Sequence, residues 1–63
     1  MPESVPREVY FEFTVIGSVA RIAAVCAETG VEVVVMGPAR AAQSDLERLA
    51  LRKLQHRLAK GEQ

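Results

Sequence analysis

Cys26 is the only cysteine of the chain, His56 the only histidine and Asp45 the only aspartate, and no two of them are neighbours in sequence. A cysteine nucleophile works as a thiolate, which needs a cation, a base or a helix N-terminus beside it. No histidine lies near Cys26, so a helix N-terminus is its only plausible activator. The alternative is a buried thiol acting as a small hydrophobe, and a place on a strand facing the core favours that reading. His56 stands beside Arg57, bordering a helical apolar stripe near Leu49, where a surface imidazole is expected rather than a ligand or base. Single copies of cysteine and histidine leave no zinc set and no intrachain disulfide. No serine–histidine–aspartate arrangement is evident, and Asp45 is accounted for by the start of a helix. Glu12 and Glu32 fall on one face of the expected sheet, where paired carboxylates can do acid–base work. Arg21 falls diagonal to Glu12, so cross-strand charge pairing is the better expectation. Gly17, Gly30 and Gly37 read as punctuation for turns, since no GxGxxG or GxxxxGK pattern occurs. No catalytic residue, metal ligand or cofactor is assigned, and the chain is read as a non-enzyme.

One cationic group remains. Arg48, Arg52, Lys53, Arg57 and Lys60 form a broad arc on the final helix, away from its leucines. Such an arc can lie along phosphates. Against this, cations are favoured near a helix C-terminus in any case, and no aromatic side chains interleave with them for base stacking. Eight acidic and eight basic side chains give a formal net charge of zero, which supplies no bulk attraction to nucleic acid or anionic lipid. Nucleic-acid binding is therefore the second reading of function.

The elements that position these groups follow from hydrophobic period. Residues 8–16, EVYFEFTVI, are rich in aromatic and β-branched types. Val9, Phe11, Phe13 and Val15 fall on one face; Tyr10, Glu12, Thr14 and Ile16 fall on the other. Gly17-Ser18 suits a two-residue type II′ hairpin turn. That turn pairs Val15 with Ala20, Phe13 with Ile22 and Phe11 with Ala24, setting bulky groups opposite small ones. A second strand runs from Val19 to Cys26. A four-residue loop, AETG, closes on Gly30 and puts Val31, Val33 and Val35 on the core face, with Glu32, Val34 and Met36 opposite. A three-residue loop would invert that third strand. Gly37-Pro38 ends the sheet. Ser44 and Glu47 form a capping-box signature, Ala41 and Ala42 offer a backward extension, and Leu46, Ala50, Leu54 and Leu58 recur every four residues with Leu51 beside them. Lys60-Gly61 is a natural stop.

The expected fold is α+β: a three-stranded antiparallel meander followed by one amphipathic C-terminal helix (β-β-β-α), lying across the aromatic face. Residues 1–6 read as a flexible arm, 7–60 as the single domain and 61–63 as a tail. The start MPESVPREV lacks a signal-peptide pattern, and no apolar run approaches the roughly 18 residues of a membrane span; with no paired cysteines, a cytoplasmic place is expected.

A domain of 63 residues is marginal alone and usually needs a disulfide, a metal or a partner chain. Only the partner remains. One helix covers one face, which leaves Tyr10, Val25, Val34 and Met36 on the other, with Leu49 on the helix flank; these are the candidate homodimer residues. The third strand reads as an edge without an internal lysine or proline, a template for pairing. Strand-edge pairing, face packing and helix exchange are all open geometries, and an unknown protein partner is a further option. The expected role is that of a small homodimeric interaction or structural module.

The βββα order is similar to the C-terminal part of double-stranded-RNA-binding domains, although the first helix and a lysine cluster at the start of the final helix are missing. Over nearly its whole length the chain resembles a group of short uncharacterised bacterial proteins that share patterns like EVYFEFTVIG, ETGVEVVVMGPA and LERLALRKLQHRLA. That resemblance implies a compact bacterial domain and no particular chemistry.

Overall fold

The computed structural model describes residues 8–61; the arm expected at residues 1–6 and the end of the tail lie outside the described residues. Strands β1 (Val9–Ile16), β2 (Val19–Cys26) and β3 (Glu32–Pro38) form one antiparallel sheet in the order β1-β2-β3, and helix α1 (Gln43–Ala59) follows. The β-β-β-α order is the one the hydrophobic periods dictate.

Turn chemistry sets both registers. Gly17 has φ 62° while Ser18 is not left-handed, as a type II′ turn requires. The pairs Val15–Ala20, Phe13–Ile22 and Phe11–Ala24 follow. The second loop has four residues: the Gly30 N–H donates to the Cys26 carbonyl at 2.8 Å, and the Cys26 N–H to the Val31 carbonyl at 2.9 Å. Val33 and Val35 therefore face the core opposite Ala24 and Ile22, and Val31 is buried beside them.

Two local expectations are corrected. Gly37-Pro38 ends the sheet as expected, Gly37 pairing with Ala20 and Pro38, the last strand residue, with Val19, but Gly37 does not do so as a turn. Gly37 is not left-handed; a Cβ there would stand 2.9 Å from Leu46 Cδ2. It is a contact glycine that lets the helix come close, not turn punctuation. The capping box also fails to form. The N-cap is Ala42, with φ −66° and ψ 133° and no side-chain cap, so Ser44 lies inside the first turn and Ala41 and Ala42 do not extend the helix. Seating Leu46 against Gly37 fixes where the helix begins. Glu47 instead accepts from Gln43 Nε2 at 3.0 Å, and Asp45 keeps the favourable place of an anion in the first turn. The stop at Lys60-Gly61 is as expected, with Gly61 at φ 81°.

The core lies between α1 and two strands. Ala20, Ile22, Ala24 and Cys26 of β2, Val31 and Val33, and Leu46, Ala50 and Leu54 of α1 are buried together. A helix is about 10 Å wide and strands stand about 4.8 Å apart, so one helix covers two strands and not three. The connection of four residues, 39–42, holds the helix over β3 and its neighbour. The expectation that α1 lies across the aromatic face is therefore met only in part. Phe13 and Val9 pack at the margin of the core, while Phe11 and Val15, on the same face, stay 38% and 47% exposed.

Candidate functional site

The residues able to do chemistry are held apart by this topology. Cys26 is 1% exposed, at the far end of β2 from the helix start. Leu46, in the first turn of α1, lies against Gly37, which pairs with Ala20; the helix N-terminus is a strand's length from the thiol and cannot activate it. Hydrogen bonds from Thr29, its side chain first and its backbone second, hold the thiol below the ordinary cysteine range, and desolvation pushes the other way. Access, rather than ionisation, governs such a group. Ellman's reagent is expected to leave Cys26 untouched in native buffer and to label it fully in denaturant; prompt stoichiometric labelling of the folded protein would contradict the burial.

Glu12 and Glu32 share the outer face but do not meet. Glu12 lies opposite Ala23, which lies opposite Val34, whereas Glu32 lies opposite Val25. Two strand spacings, about 10 Å, and a further row separate the carboxylates. Arg21 lies opposite Thr14 and diagonal to Glu12 as expected, yet among the described residues the two form no ion pair. His56 is an exposed residue of the last helical turn. Among the described residues no three of histidine, cysteine, aspartate and glutamate come together, no polar side chain is buried, and no helix is long and apolar enough to cross a membrane.

The cationic arc is partly committed to the protein itself. Arg48 Nη1 lies 3.3 Å from Asp45 Oδ1, Lys53 Nζ donates to the Val34 carbonyl at 3.0 Å, and Arg57 has a partner of its own. Arg52 and Lys60 remain exposed. Nothing in this arrangement supports nucleic-acid binding.

The apolar candidates are distributed differently. Tyr10 is 57% and Met36 64% exposed on the outer face, and Leu49 is exposed on the helix, while Val25 and Val34 are half-buried by their neighbours in the sheet. Ala23, between Glu12 and Val34, is fully buried because its side chain is too short to clear them. Leu49 lies one turn before Lys53 on the flank of α1 that reaches the β3 edge. Ile16, expected on the outer face, is 74% exposed; sequence reasoning missed two exposed apolar residues, Phe11 and Val15, which it placed on the covered face. The signal was present in the width of one helix against three strands.

The two sheet edges are also unequal. The bonds Cys26 N–H to Val31 and Ala39 N–H to Ser18 show that odd-numbered β3 residues turn their backbone groups toward β2, so those of Glu32, Val34 and Met36 point outward. Lys53 occupies one of these outward carbonyls. The edge that the sequence leaves bare thus carries a lysine guard, supplied by the helix. On β1, the Ala27 N–H donates to the Glu8 carbonyl at 3.1 Å; even-numbered residues face β2, and the backbone groups of Val9, Phe11, Phe13 and Val15 point outward, away from the sheet.

A family model described as a domain of unknown function, DUF6898, matches residues 6–61. No curated protein and no solved structure matches the chain.

Proposed function

For a chain that belongs to the DUF6898 family, a domain of unknown function, we propose the role of a small non-catalytic module that works by associating with a second copy of itself. One observation carries this reading: β1 exposes large apolar side chains on both of its faces, Tyr10 and Ile16 on one and Phe11 and Val15 on the other. Isolated exposed hydrophobes are ordinary, but four on one eight-residue edge strand, two on each face, give that strand an apolar surface of the kind that a partner covers. A single helix on a short chain also leaves little margin of stability, which a second copy would increase. The absence of catalysis is supported by the separation of Cys26, His56, Asp45 and the two strand carboxylates. A lone buried thiol suits a reducing compartment, and the cytoplasm is the proposed location.

Sedimentation velocity of the full chain at micromolar concentration tests the reading. A species of two-chain mass, dissociating on dilution, is expected. A single-chain mass at every concentration would remove it.

A further inference from the structure

We infer that the second copy docks along β1, strand to strand and antiparallel, about a two-fold axis through Phe13; this rests on the self-association proposed above and specifies its geometry. β1 (Val9–Ile16) contains neither lysine nor proline, whereas Lys53 holds an outward carbonyl of β3. An open edge with its backbone groups unpaired is completed by another strand.

Charge and apolar pattern select the register. Only odd-numbered residues of β1 present backbone groups outward, so odd must pair with odd. Setting Phe11 against Phe13 of the second copy brings Glu12 opposite its own twin, a like-charge pair that opposes the contact. Setting Phe11 against its twin puts Tyr10 opposite Glu12 and leaves Val15 and Ile16 without apolar partners. Setting Phe13 against its twin places Phe11 opposite Val15, Tyr10 opposite Ile16 and Glu12 opposite Thr14. This third register alone gives every exposed apolar side chain of β1 an apolar neighbour and leaves no carboxylate facing another. The result is a continuous six-stranded sheet with both helices on one side. The aromatic sides of the two β1 strands fill the strip between them, which neither helix reaches.

Two measurements on the full chain test it. In the wild-type protein, the backbone amides of Phe11, Phe13 and Val15 should exchange with solvent more slowly as concentration rises, while those of Val34 and Met36 do not change. Val15→Pro removes an outward N–H without touching a bond to β2, and should weaken association about tenfold or more in sedimentation. Met36→Lys, on the outer face of β3, should leave it unchanged. A dimer whose β1 amides exchange freely at all concentrations would overturn the strand pairing while leaving self-association intact. A dimer dissolved by Met36→Lys and indifferent to Val15→Pro would overturn it in favour of face packing. Failure to associate at any concentration would instead remove the underlying reading. The amide exchange of the wild type decides the matter even if the proline variant does not fold.

Discussion

Leu54→Ala lowers the stability of the folded domain by about 3 kcal/mol. Leu54 is fully buried, the third member of the stripe Leu46, Ala50, Leu54 that joins α1 to β2 and β3. Removing its branched end loses transfer free energy and leaves a void that a single layer of helix on sheet can close only in part. A domain of this length has a total stability of roughly 3–9 kcal/mol, so the loss is a large share of the whole. Urea denaturation followed by circular dichroism at 222 nm is the measurement; the variant should be partly unfolded without denaturant at dilute concentration. Leu49→Ala, on the exposed flank, is the matched comparison and should change the unfolding free energy by less than about 0.5 kcal/mol. Equal shifts for the two leucines would mean that the helix is not seated as described.

Ala50→Leu is expected to be nearly as damaging for the opposite reason, costing about 2–3 kcal/mol through overpacking. Ala50 is fully buried in the cluster that contains Ala20 and Ala24. These small residues, with Gly37 against Leu46, are what permit the helix to lie close to the strands. A leucine at residue 50 has no space to enter without lifting the helix, although leucine is nearly as good a helix former as alanine. The loss would therefore come from packing and not from propensity. Amide exchange reads the difference: protection along the β2–β3 ladder should fall together with that of α1. An Ala50→Leu variant as stable as the parent would show that the interface between helix and sheet is loose.

The hairpin registers were legible because they depend on neighbouring residues. Gly17-Ser18 and the loop closed by Gly30 each fix a register through one backbone geometry, and alternation of side chains does the rest. The helical stripe was legible for the same reason. What escaped is tertiary. Ser44 and Glu47 have the spacing of a capping box, but the seat of Leu46 on Gly37 decides where the turn begins. Gly37 carries the types expected of a turn, while its lack of a side chain serves a contact nine residues away in sequence, a relation no local pattern encodes. Lys53 reads as one cation among five, and only the path of the helix over β3 reveals that it meets Val34. Side-chain alternation and the helical period point to Tyr10, Val25, Val34 and Met36 on the outer face and Leu49 on the helix flank, without regard to how far the helix reaches. Placing the helix shifts the exposed apolar area toward β1, where Tyr10 is joined by Phe11, Val15 and Ile16.

The lysine on Val34 has a consequence for how large any assembly can become. A sheet bare at both margins could be extended indefinitely, copy upon copy, toward a fibre. Here one margin carries an ammonium that a newcomer would first have to displace, so the proposed joining at the other margin would consume the growing end of both molecules at once and addition would terminate at two.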